Sequence, residues 1–153
     1  MSKGTALITG ASSGIGEALA REFASHQYDL VITARRGDRL EALAAELSTQ
    51  VAVDIVISDL ATDTGPASLI AAVALLGKDI DVLVNNAGIA HSGSFHDTAM
   101  TQIDQLIGLN ISALARLTQH YSQPMIQRGS GRILNVASVA AFQPVPSMAV
   151  YAA

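Results

Sequence analysis

Short apolar runs alternate with segments of helical period along almost the whole chain, and this alternation restricts the fold more than any other feature. "ALIT" (6–9), "DLVITA" (29–34), "VAVDIVI" (51–57), "DVLV" (81–84) and "RILNVAS" (132–138) read as strands. They are nearly continuous in apolar character, as strands buried on both faces must be. Between them, "DRLEALAAEL" (38–47) places Leu40, Leu43, Ala44 and Leu47 on one stripe, and Asp38 with Glu41 has capping-box spacing. From Ile15, Leu19 and Phe23 recur at helical spacing, and "PASLIAAVALL" (66–76) opens on a proline suited to a first turn. A long helix is expected from about Thr101 to Gln127, kinked or ended by Pro124, with Ile103, Ile107, Leu114 and Leu117 as its apolar stripe. Strands separated by helices of this length require crossover connections and a parallel sheet. The expected fold is a doubly wound α/β sandwich.

Composition narrows the function classes. The chain has 153 residues, a prior of one domain. Half are hydrophobic before its 12 glycines are counted, above the usual roughly 45–50% with glycine included, so part of the apolar surface wants a partner. Net charge is −4 and no basic tract occurs, which argues against nucleic acid as a partner. There is no cysteine, so disulfides and thiolate metal sites are excluded. His26, His91, His96 and His120 show no metal-ligand spacing, and no metal is expected. Apolar runs stop short of the roughly 18 residues of a membrane span, and the opening "MSKGTALITG" is too quickly polar for a signal peptide. A cytoplasmic protein is expected.

The segment "TGASSGIG" follows the first strand and opens the first helix. Gly10 suits a tight turn, Gly14 lets backbone approach a pyrophosphate at the helix N-terminus, and Gly16 lets helix and strand pack closely. Ser12 and Ser13 add hydroxyl groups. An ordinary glycine-rich turn is the plain alternative, and the strand–turn–helix context weighs against it. An NAD site of this kind places an acidic residue near the end of the second strand, whereas an arginine there suits a 2′-phosphate. Here the strand ends "TARR": Ala34 supplies no carboxylate, and Arg35 and Arg36 supply guanidiniums that match phosphate oxygens with parallel hydrogen bonds. This points to NADP rather than NAD. For Arg36 a merely solvated side chain is an equal reading.

Other groups mean little singly. "NNAG" (Asn85–Gly88) follows the fourth strand, where buried amides need partners. Asn110 falls on the apolar stripe of the long helix, and alone reads as an amide tying two elements together. Ser138 ends the fifth strand and Tyr151 follows after a loop with Pro144 and Pro146.

Taken together, "TGASSGIG", "SDL" (58–60), "NNAG", "LNIS" (109–112), "VASVAA" (136–141) and "YAA" (151–153) resemble the short-chain dehydrogenase/reductase superfamily over essentially the whole chain. The three residues between Gly10 and Gly14 resemble its single-domain branch. The resemblance implies a Rossmann-like sheet of strand order 3-2-1-4-5 and hydride transfer between NADP(H) and a small-molecule carbonyl or alcohol. It implies Tyr151 as acid/base, Ser138 as the group that hydrogen-bonds the substrate oxygen, and Asn110 as holder of a relay water. Gly10, Ser12, Ser13, Gly14, Ile15, Gly16, Arg35 and Arg36 would bind cofactor. So would Asp59 at the adenine amino group, Leu60 beside it, and the backbone of Asn86, Ala87 and Gly88. The helix around Ile103–Tyr121 resembles the one that mediates homodimer or homotetramer contacts in the family.

One element departs. The family pattern is Tyr-x-x-x-Lys, and the lysine belongs at position 155, two beyond Ala153. Neither Lys3 nor Lys78 occupies a matching place. The expectation is that residues 1–153 are a C-terminally incomplete dinucleotide-binding domain of a longer enzyme, lacking its last strands, and that the fragment itself would be inactive. A non-catalytic dinucleotide-binding module is the alternative if the chain stops there.

Overall fold

The computed structural model describes residues 2–153. Five parallel strands form one sheet: β1 (Thr5–Thr9), β2 (Asp29–Ala34), β3 (Val53–Ile57), β4 (Val82–Asn85) and β5 (Arg132–Asn135), in the order β3-β2-β1-β4-β5. Helices α1 (Gly14–Ser25), α2 (Gly37–Leu47) and α3 (Gly65–Leu75) connect the first four strands. α4 (Met100–Ile107), a π-helical segment (Gly108–Ala113) and α5 (Leu114–Arg128) connect β4 to β5, and a short α6 (Ala149–Ala152) comes last.

The central strands β2, β1 and β4 are buried on both faces, and strand alternation divides those faces cleanly. Ala6, Ile8, Leu30, Ile32, Val82 and Val84 face α1 and α2 through Ala20, Ala24, Leu40, Leu43 and Leu47. Leu7, Val31 and Leu83 face the other way, onto Leu69 and Val73 of α3 and Leu117, Tyr121 and Met125 of α5. The expected doubly wound α/β architecture and strand order are therefore present, with all four stripe residues of α2 buried. β5 lies at the sheet edge with all four residues exposed.

Several local expectations are corrected. β3 begins at Val53 and β5 ends at Asn135, each shorter than its apolar run. α2 starts at Gly37, so Asp38 is already inside the first turn and no side-chain cap forms; its charge still faces the positive end of the helix. In α1 the buried line is Gly16, Ala20 and Ala24, with Ile15 exposed and Leu19 and Phe23 only partly buried. Small residues let this helix lie close on the sheet. The long helix is not ended by Pro124, which sits inside α5. It is interrupted instead at Gly108–Ala113, where the wider π turn shifts the helix phase. The buried line becomes Ile103, Leu106, Leu109, Ala113, Leu117, Tyr121 and Met125, while Ile107 is exposed and Leu114 only half-buried.

Candidate functional site

The glycine turn leaves β1 at Thr9 and enters α1 at Gly14. Gly10 has φ +69°, and a Cβ there would lie 2.8 Å from the Ala87 Cα. A Cβ at Gly16 would strike the Gly10 carbonyl and the Asn86 amide, so α1 can approach β1 only without a side chain at this position. Gly14 has φ +59° but faces open space, which leaves the outer side of the turn clear.

Thr9, which the sequence reading passed over, locks this turn to the exit of β4. Its hydroxyl donates to the Val84 carbonyl at 3.1 Å and accepts the N–H groups of Asn86 and Ala87, both at 3.0 Å. The Asn86 amide in turn donates to the Thr9 carbonyl at 2.9 Å and the Gly10 carbonyl at 3.3 Å. A threonine closing an otherwise apolar strand was the available signal. Asn85 is the buried structural amide: its Nδ2 donates to Thr118 and to Asn135, both at 2.9 Å.

Between these locked ends lies a cleft of about 510 Å³ at the C-terminal edge of the sheet. It sits where the strand order reverses around β1, the usual binding crevice of an open parallel sheet. Gly10, Ser12, Ser13 and Ile15 line it from the turn; Arg35 and Arg36 from the end of β2; Asp59 and Leu60 from beyond β3; and Asn86, Ala87 and Gly88 from beyond β4. Gly14 and Gly16 shape the turn without lining the cleft. Thr33, Ser58, Ile89 and Leu109 line it as well and were not anticipated. Thr33 is fully buried, and its hydroxyl has no partner among the described residues.

The charges fit a polyanionic dinucleotide. Among the described residues neither Arg35 nor Arg36 forms an ion pair, whereas Arg21 and Arg128 both do. Asp59, beyond β3, is exposed, its Oδ1 accepting the Ala61 N–H at 3.1 Å. The open backbone face at Gly14, two guanidiniums without an ion-pair partner among the described residues and a cleft at the C-terminal edge of the sheet together suit a nicotinamide dinucleotide.

The candidate catalytic residues lie off this cleft. Asn110 occupies the π segment and clamps the backbone of Ile89, donating to its carbonyl at 2.8 Å and accepting its N–H at 3.0 Å. Ser138 follows β5 and precedes a 3₁₀ turn (Val139–Phe142); its hydroxyl oxygen accepts the Ala140 N–H at 3.2 Å. Tyr151 sits half-buried on α6, which packs on that turn and on α4. The Gly93 N–H donates to the Ser147 carbonyl at 2.8 Å, joining the segment after β4 to the one before Tyr151. α6 thus packs on the turn after Ser138 and on α4, the helix that leads into the π segment, and no hydrogen bond links the three side chains among the described residues. Tyr121 belongs to the core; burial pushes its hydroxyl up to about 12. No helix is long and apolar enough to cross a membrane, and no acidic, histidine or cysteine cluster suited to a metal occurs among the described residues.

The short chain dehydrogenase family profile matches residues 4–153. Serine 3-dehydrogenase of Agrobacterium fabrum is 38% identical over 149 residues, covering 97% of this chain and 59% of that protein. Sulfoacetaldehyde reductase 2 of Chromohalobacter salexigens is 37% identical, covering 96% of this chain and 59% of that one. A short-chain dehydrogenase from Sphingobium yanoikuyae in complex with NADPH superposes with a TM-score of 0.90 at 41% identity, over 97% of this chain and 59% of that one. The bulky-bulky ketone specific alcohol dehydrogenase of Comamonas testosteroni gives a TM-score of 0.92 at 36% identity, over 99% of this chain and 61% of that one. The chain thus spans about three fifths of the length of these relatives, and its sheet order, glycine turn and profile match agree. It belongs to the short-chain dehydrogenase/reductase superfamily.

Proposed function

We propose that the protein is an NADP-dependent oxidoreductase acting on a small-molecule carbonyl or alcohol. The observation that carries the cofactor preference is the pair of unneutralised guanidiniums, Arg35 and Arg36, where an NAD site has a carboxylate. The similarity to an NADPH-bound dehydrogenase supports it.

In this reading Arg35 and Arg36 take the 2′-phosphate, and Asp59 takes the adenine amino group with Leu60 packed beside it. Ser12, Ser13 and the open backbone around Gly14 face the pyrophosphate at the start of α1, with Ile15 on the same wall; Gly10 and Gly16 permit the turn. The backbone of Asn86, Ala87 and Gly88 lines the nicotinamide end. The cofactor, when bound, supplies or receives the hydride. Tyr151 delivers a proton to the substrate oxygen during reduction and removes one during oxidation. Ser138 donates a hydrogen bond to that oxygen; its own N–H partner leaves the hydroxyl hydrogen free. Each atom of the Asn110 amide keeps one hydrogen-bonding position beyond those used by Ile89, and a relay water takes it. Ile107 and Ile111, exposed on the long helix, support assembly into a homodimer or homotetramer.

Parallel titrations with NADPH and NADH test this function. Tighter binding of NADPH is the expected result, with turnover of a ketone or aldehyde in a chain that carries the family lysine at position 155. Tight binding with no turnover of any carbonyl or alcohol would leave a dinucleotide-binding module. Equal binding of the two cofactors removes the NADP assignment.

A further inference from the structure

The Arg36 side chain is exposed, but it is not free. It folds back over the glycine turn, where Nη2 donates to the Ser13 hydroxyl at 2.7 Å and the Ser12 hydroxyl at 3.0 Å, and Nε donates to the same Ser12 oxygen at 3.2 Å. Nη2 also approaches the Ser12 carbonyl at 3.5 Å. Nη1 has no partner among the described residues, and Arg35 beside it makes no side-chain hydrogen bond there.

Two features make this arrangement more than a surface contact. Hydroxyl oxygens hold a guanidinium in place without neutralising it, so its full charge remains available to an anion. Ser13 also stands at the N-cap of α1, where a serine normally bonds the second or third helical N–H. Here it makes no such bond. Its hydroxyl goes to Arg36 instead, and the first N–H groups of the helix stay open.

We infer that Ser12 and Ser13 are positioning residues that hold Arg36 ready for the 2′-phosphate, so that cofactor selectivity is set partly by the turn and not by the arginines alone. The inference rests on the NADP reading. A long, rotamer-rich side chain fixed before binding loses less freedom when the phosphate arrives. Arg35, which lacks such a hold, bears that loss in full.

The test is a double-mutant cycle read by binding. Dissociation constants for NADPH and NADH are measured by nicotinamide fluorescence for the wild type, Ser12→Ala/Ser13→Ala, Arg36→Met and the combined variant. Thermal melting confirms that each is folded, and Ser13→Ala alone serves if the double variant is not. The serine pair is expected to lower the NADPH-to-NADH affinity ratio roughly 3- to 10-fold when Arg36 is present, the scale of one ordered side chain. It should change that ratio by less than about 2-fold in the Arg36→Met background, since interacting residues are not additive. An equal fall in both backgrounds means that the serines touch the phosphate themselves and overturns the inference. So does an unchanged ratio in a wild type that still prefers NADPH. A wild type with no preference overturns the cofactor reading itself, and the inference with it.

Discussion

Asn110 and Ile89 lie 21 positions apart and are joined by a two-way clamp: the amide nitrogen gives a hydrogen bond to the Ile89 carbonyl at 2.8 Å, and the amide oxygen receives the Ile89 N–H at 3.0 Å. The clamp ties the π segment of the long helix to the chain leaving β4, at a residue that itself lines the cleft beside Gly88. Asn110→Ala removes both bonds and strands two backbone groups. It should lower stability by about 1–3 kcal/mol, measured by chemical denaturation. Turnover should fall further than cofactor affinity does, since Asn110 does not line the cleft.

Arg35 and Arg36 can be tested by charge reversal. Arg35→Ser/Arg36→Asp removes both guanidiniums proposed for the 2′-phosphate and supplies a carboxylate for a ribose hydroxyl. Each hydrogen bond to a charged group contributes about 1.5–3 kcal/mol, so NADPH affinity should fall at least roughly 10-fold. NADH affinity should rise or hold. A competition titration reads the crossover directly.

Gly14 and Gly16 should respond differently to alanine. At Gly16 the added methyl meets the Gly10 carbonyl and the Asn86 amide, neither of which can retreat. A loss of about 1–3 kcal/mol is expected, as for overpacked cores, together with weaker dinucleotide binding. At Gly14 the methyl enters open space, and only the positive φ of +59° is penalised. Its cost should be about 1–2 kcal/mol. The discriminating result is placement: the Gly16 variant should lose protection from hydrogen exchange at β1 and at Asn86, and the Gly14 variant should not.

Tyr121 carries a buried hydroxyl without a partner among the described residues. Burial raises its pKa from 10.0 to about 12, so the folded state favours the neutral phenol. Its contribution to stability is complete below pH 10 and is lost as pH rises towards 12. Tyr121→Phe should therefore flatten the alkaline fall in stability over that window. At neutral pH the change should be neutral or stabilising, because removal of an unsatisfied hydroxyl relieves its desolvation penalty. Denaturation midpoints at pH 7, 10 and 11.5 for the two proteins settle the sign.

Much of this architecture was legible without coordinates, for local reasons. Runs such as "DLVITA" match β2 residue for residue, because a strand buried on both faces leaves an unbroken apolar signature. The stripe of Leu40, Leu43, Ala44 and Leu47 is buried because helical period alone places those side chains on one side. The glycines of the turn and the arginines of "TARR" point to one cleft through conformational freedom and charge, and Gly10, Arg35 and Arg36 do line it. These are properties of a few adjacent residues.

Tertiary structure decided the rest, because it depends on partners far away in the chain. The stripe expected at Ile107 and Leu114 shifts because the π turn at Gly108–Ala113 changes the helix phase, and no short-range pattern marks that turn. Arg36 could equally have been solvated; only the folded turn, 24 residues earlier, shows Ser12 beneath it. Thr9 gains its role only when β4 arrives alongside β1 and presents Val84, Asn86 and Ala87 to one hydroxyl. The residues that invite a dinucleotide are thus written in the sequence as types and spacings. The hydrogen bonds that hold them in place exist only once the sheet has brought separate strand ends together.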